Sequence, residues 1–166
     1  MNLFLTYIGL YAPIILFVLT LFLLINMTNY LEFFVSGFIL NNILNIILKL
    51  LIKAPRPVNN KKTDESFING EHITFHKFGM PSGHAQNCGY SLSFITMVLN
   101  NPFITTLYIL ITLISLLQRY LYKRHTILQL IVGLIVGLGF GFLTYSLGNQ
   151  YITGNIKPKE DDDGPL

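Results

Sequence analysis

Seven residues in three short stretches have the side chains and backbone that handle a phosphoryl group. Lys49 and Arg56 have six residues between them; Ser82, Gly83 and His84 are consecutive; Arg119 and His125 have five residues between them. A transferring phosphoryl group needs cations to balance its equatorial oxygens and backbone donors to fix them. Arginine's fork grips two oxygens at once, and lysine adds a point charge. Pro81-Ser82-Gly83 reads as a helix start, where unpaired N–H groups and the positive dipole end favour an anion. Two imidazoles can supply a nucleophile and a proton donor. No HExxH, no CxxC and no aspartate cluster suited to magnesium occurs, so no metal and no cofactor is expected.

The elements that must position these residues are membrane helices. Of the 166 residues 52% are hydrophobic and only 11% charged, against about a quarter charged in soluble domains. The chain cannot cover a water-facing surface, and its solvent is lipid. A hydrocarbon core about 30 Å thick takes roughly 20 apolar residues in helix. Leu3–Ile25 meets this and lacks the basic start and short core of a cleaved signal. A second span runs from about Tyr30 to Lys53, with Asn41, Asn42 and Asn45 read as polar contacts to other helices. Ala54-Pro55-Arg56-Pro57 ends it. A polar loop over 58–78 follows, with His72 and His76 as ordinary loop histidines. A third helix starts near Pro81-Ser82 and runs to about Leu99, a fourth from Phe103 to about Leu117, a fifth from about His125 to Leu147. The expected fold is all-α, a polytopic bundle of about five spans. Residues 1–147 form the membrane domain, its core 30–147, and 148–166 a flexible acidic tail. Gly133, Gly137 and Gly141 recur every four residues, the small-xxx-small pattern of closely packed helices in lipid.

Counting spans places the loop after span two and the loop between spans four and five on one side. The two basic clusters, Lys49 to Lys77 and Arg119 to Arg124, therefore share a membrane face with the N-terminus, and the acidic tail lies opposite. Lys53, Lys123 and Arg124 read as interfacial residues meeting lipid headgroups. Lys49 lies near the end of an apolar helix, where a charge is costly unless snorkelled or used, and reads as a phosphate ligand. The single cysteine, Cys88, excludes an internal disulfide. The expected partners are membrane lipids and a lipid phosphate, not nucleic acid.

Lys49-(six residues)-Arg56-Pro57, then Pro81-Ser82-Gly83-His84, then Arg119-(five residues)-His125 resemble the three signature motifs of the type 2 phosphatidic acid phosphatase (PAP2) superfamily. The resemblance covers roughly residues 30 to 147. It implies that His125 attacks phosphorus to form a phosphohistidine and His84 protonates the leaving oxygen. Lys49, Arg56, Arg119, the Ser82 hydroxyl and the Gly83 N–H would hold the phosphate, and His84 would then serve as base for water.

Two positions depart from the pattern. Gln118 stands where the family usually has serine. Gln129, four residues after His125, stands where it usually has aspartate. The i,i+4 spacing puts Gln129 on the face of His125. Its carbonyl can accept an Nδ1–H bond but brings no charge. Around the second and third motifs the chain is similar to the dolichyl-diphosphatase branch, which has a His-Thr-x-x-Gln arrangement here. That implies a polyprenyl diphosphate cleaved to the monophosphate in the endoplasmic reticulum membrane, with the site facing the lumen. The positive-inside rule taken alone puts the basic loops in the cytoplasm; it loses force where the charges are substrate ligands. The rival readings are a phosphatidic acid or glycerolipid phosphatase using the same pocket, and a non-catalytic lipid-binding relative. Vanadate-dependent haloperoxidase chemistry needs similar residues, but on soluble chains.

Overall fold

The structure, a computed structural model, describes residues 3–57 and 77–154. The expected flexible tail from 155 on, most of the polar loop and His72 and His76 lie outside the described residues. Five α-helices run α1 Leu3–Leu23, α2 Thr28–Ile52, α3 Gly83–Leu99, α4 Pro102–Leu121 and α5 Ile127–Ile152. The described residues hold no strand, only an isolated bridge between Pro55 and Phe78. The fold is an all-α membrane bundle.

Four helices, α1, α2, α4 and α5, are long and apolar enough to cross a bilayer. The third is different. At 17 residues it is at the short end of the roughly 17–25 that carry a helix across. It packs against all four others, so a wall of protein surrounds much of its length. Tyr90, Phe94 and Ile95 of α3 are fully buried with Phe34 of α2 and Tyr108 of α4. The outward faces stay apolar, with Ile14, Leu51, Phe103, Leu113 and Ile135 exposed. In lipid this is the expected pattern.

Local chemistry sets the helix ends. Asn101 caps α4 by accepting from the N–H of Phe103 (3.0 Å) and Ile104 (3.2 Å), with Pro102 at the first position. Ser82 caps α3. Thr126 and Gln129 form a reciprocal capping box at the start of α5. The fifth helix continues to Ile152, past the Leu147 expected from sequence. Tyr30 of α2 donates to Asn149 (2.9 Å), and Gly148 lets Phe33 sit close to the helix, so packing extends it.

The glycine stripe is where α5 meets α3. A Cβ at Gly133 would lie 2.5 Å from the Ser82 carbonyl, and one at Gly141 2.5 Å from the Tyr90 carbonyl; at Gly137 it would overlap the carbonyl of Gln86. The two backbones touch along three turns, which only glycine permits. Across the bundle, amides join α2 to α3. Asn41 donates to Asn87 (2.8 Å), Asn87 to Asn42 (2.9 Å) and Asn45 to Gln86 (2.7 Å), while Gln86 donates back to Asn41 (2.9 Å). Such bonds average about 0.6 kcal/mol each in membrane proteins, so their main effect is to set the register of α3 against α2.

Candidate active site

The three motifs meet at one end of the bundle through the backbone. Gly79 N–H donates to the Ala54 carbonyl (2.8 Å), which ties the segment before α3 to the end of α2. Ser82 N–H donates to the Gln129 carbonyl (3.1 Å), which ties the start of α3 to α5. Met80-Pro81 is a cis peptide.

Lys49 projects from the buried face of α2 below Phe34, Gly37, Asn41 and Asn45, and is only 6% exposed. A Cβ placed on Gly83 would lie 3.8 Å from its Nζ. The ammonium thus sits against the N-terminus of α3, where Gly83 carries one of the helix's unpaired N–H groups. The Ser82 hydroxyl is fully buried and accepts from Ala85 N–H at 3.5 Å. It caps the helix and still has a proton to donate.

His125 lies in the turn between α4 and α5 and is 5% exposed. Its Nδ1 is 2.9 Å from the Gly79 carbonyl and 3.3 Å from Oε1 of Gln129. Both are acceptors, so the ring proton sits on Nδ1 and Nε2 presents its lone pair. Burial, then the charges of Arg56, Lys49 and Arg119, push the His125 pKa down to about 3. The ring is neutral at physiological pH, as a nucleophile must be. That same set of cations identifies Arg56, Lys49 and Arg119 as neighbours of His125.

His84, on the first turn of α3, is electrostatically coupled to Arg119, His125 and Lys49. The two imidazoles and three cations expected from sequence therefore occupy one neighbourhood. His84 Nε2 lies 3.0 Å from the Leu10 carbonyl of α1 and in contact with Arg119 Nη2.

Gln129 is the joint of the site. Its Oε1 accepts from Thr126 N–H (3.2 Å) as well as facing His125, and its Nε2 donates to the Pro55 carbonyl (2.8 Å). With its own carbonyl on Ser82, one residue links all three motif segments. An aspartate could not do this. It is one methylene shorter and has no donor for Pro55.

Gly79 and Leu10 act through their carbonyls, so no side-chain motif marks them. Asn45 donates to the Pro81 carbonyl at 3.4 Å and borders Gly83. Of the residues expected at the interface, Lys53 and Lys123 are exposed, but Arg124 is buried. Its backbone N–H donates to the Arg119 carbonyl (3.0 Å), which folds the turn inward and carries the side chain with it. The signal was its place beside His125. Among the described residues, no three of His, Cys, Asp and Glu converge.

The sequence profile of the PAP2 superfamily matches residues 30–152, well over half the chain. The chain belongs to the PAP2 superfamily. The family supports a phosphatase-type activity, here in a membrane protein. No curated protein and no solved structure shows a significant match to the chain.

Proposed function

We propose that the chain is a lipid phosphate phosphatase that cleaves a polyprenyl, dolichyl-type diphosphate to the monophosphate, through a phosphohistidine on His125 and without a metal. The observation that carries the reading is the state of His125. Its Nδ1–H is held by Gly79 and Gln129, and its neutral ring stands among Lys49, Arg56 and Arg119. Nε2 attacks phosphorus as the P–O bond to the leaving group breaks. The electron pair goes to the leaving oxygen, which takes a proton from His84. Water, deprotonated by His84, then attacks the phosphohistidine; the P–N bond breaks and its electron pair returns to Nε2. The three cations and the Gly83 N–H balance the equatorial charge, the part a metal plays in other phosphatases.

A groove of about 420 Å³ borders His125 and is walled by Pro57, Tyr120, Ile127 and Leu128. Tyr120, Ile127 and Leu128 belong to the exposed apolar surface, so a substrate chain lying in the bilayer has a route to the site. The groove supports a lipid substrate and leaves phosphatidic acid as the second reading. The family resemblance around Gln129 favours the polyprenyl diphosphate and an endoplasmic reticulum site facing the lumen.

The test is phosphate release from dolichyl diphosphate and from phosphatidic acid in detergent, with a chelator present. The expected result is release from the diphosphate at the higher kcat/KM, unchanged by the chelator. His125→Ala should lower it by at least about 10³-fold. Loss of activity on chelation, or wild-type rates from His125→Ala, contradicts the reading. Equal or greater preference for phosphatidic acid moves it to the second substrate class.

A further inference from the structure

We propose that α1, which lies outside the family match, is the positioning element of the proton donor: the Leu10 carbonyl orients His84 so that Nδ1 faces the leaving oxygen. The inference rests on the proposed role of His84 as the acid. Pro13 is buried within α1 and has no N–H to give to the Gly9 carbonyl four residues back. Ser115 of α4 supplies the missing donor, its Oγ lying 3.0 Å from Gly9 O in a buried position. The helices approach so closely here that a Cβ on Gly9 would lie 2.6 Å from Cβ of Gln118. Farther along, Thr20 and Tyr108 share a hydrogen bond of 2.8 Å. The register of α1 on α4 is therefore set on both sides of Leu10, and its carbonyl is carried to 3.0 Å from His84 Nε2 and 3.5 Å from Arg119 Nη2.

A guanidinium only donates. In its contact with His84, Nε2 is the acceptor and the ring proton is on Nδ1. When Arg119 turns to a substrate phosphate, the negative charge of the phosphate favours the imidazolium, Nε2 takes a proton from hydronium, which leaves as water, and the Leu10 carbonyl accepts that N–H. The imidazolium then has Nε2–H anchored on α1. Nδ1, which has no hydrogen bond among the described residues, faces the reaction with its own proton. As the P–O bond breaks, its electron pair goes to the leaving oxygen, which takes the Nδ1 proton. His84 is left neutral, still held by Leu10. Leu10 serves His84 as Gly79 serves His125, in the opposite ring sense.

The experiment compares dodecyl phosphate, whose alkoxide needs a proton to leave, with 4-nitrophenyl phosphate, whose phenolate does not. Ser115→Ala frees the Gly9 carbonyl, and Pro13→Ala returns a helical donor to it; both let Leu10 shift. In each, kcat on dodecyl phosphate is expected to fall about 10-fold, a fraction of what a general acid contributes, while kcat on 4-nitrophenyl phosphate stays within about twofold. Ser115→Thr, which keeps the hydroxyl, should restore the ratio. Because both substrates are read on one sample, the ratio is insensitive to the fraction folded. Equal losses on both substrates, or no change on either, overturns the role of α1 and leaves the phosphatase reading standing. A wild-type protein that releases phosphate from neither of these nor from dolichyl diphosphate overturns both.

Discussion

The Nδ1 atom of His125 lies 2.9 Å from the carbonyl oxygen of Gly79 and 3.3 Å from Oε1 of Gln129. The nearer partner is a backbone carbonyl, which has no charge and cannot titrate. Where an aspartate would orient the ring and stabilise its cation, a peptide dipole does most of the orienting here. That leaves Gln129 to bind the surrounding segments together.

Restoring the family's usual residue should therefore harm this site. Gln129→Asp removes the donor to Pro55, an exposed residue whose carbonyl water can reach, at a cost of about 0.5–1.5 kcal/mol. The expected outcome is a lower Tm in detergent and a kcat reduced by about 10-fold. A variant as stable and as active as the wild type would show that Gln129 does not serve as the joint.

The protonation of His125 can be followed directly. Its pKa is lowered to about 3 by burial and by Arg56, Lys49 and Arg119, against about 6.5 for an unperturbed ring. The folded protein takes up fewer protons than the unfolded chain between those values, so the stability due to this group is lost as pH falls from 6.5 toward 3. In protein labelled at the histidine rings, the His125 resonance should not titrate between pH 8 and 5. Arg56→Met should raise its pKa. A midpoint near 6.5 in the wild type would place the ring in water.

Two glycines on one helix should respond with opposite sign. At Gly137 a Cβ would overlap the Gln86 carbonyl, while at Gly139 nothing lies within 4 Å. Gly137→Ala must separate α3 from α5 and should destabilise by about 3 kcal/mol, the upper end for overpacking. Gly139→Ala should stabilise by about 0.5–1 kcal/mol through reduced backbone entropy. Thermal unfolding in one detergent measures both, and a neutral Gly137→Ala would contradict the close packing.

The groove beside His125 makes a prediction about substrate form. Leu128 lines it and is 61% exposed. Leu128→Trp fills the groove and should lower kcat/KM for a long-chain lipid phosphate by about 10-fold, while 4-nitrophenyl phosphate is turned over as before. Equal effects on both substrates would mean that the groove carries no lipid chain.

Residue type and periodicity carry as far as a sequence can be read one segment at a time. The apolar runs require a membrane bundle, because no soluble surface can be built from them. The three motifs announce phosphoryl chemistry, because few other tasks need two imidazoles, three cations and a helix N-terminus together. The glycine repeat announces a close helix contact. What the periodicity could not say is which helix lies opposite, and tertiary packing chose α3. Nor could it show that the short α3 would be surrounded by the other four.

The backbone partners of the two histidines were decided by the fold alone. Gly79 and Leu10 act through carbonyls that every residue possesses, so their identities hold no trace of the role. Arg124 carries a charge that reads as interfacial until the turn after α4 folds it inward. Gln129 reads as a deficit until Pro55, Thr126 and Ser82 are brought within 3.2 Å of it. Side-chain chemistry is local and survives in the chain as letters. The hydrogen bonds that aim it join segments distant in sequence, and those distances exist only once the helices have packed.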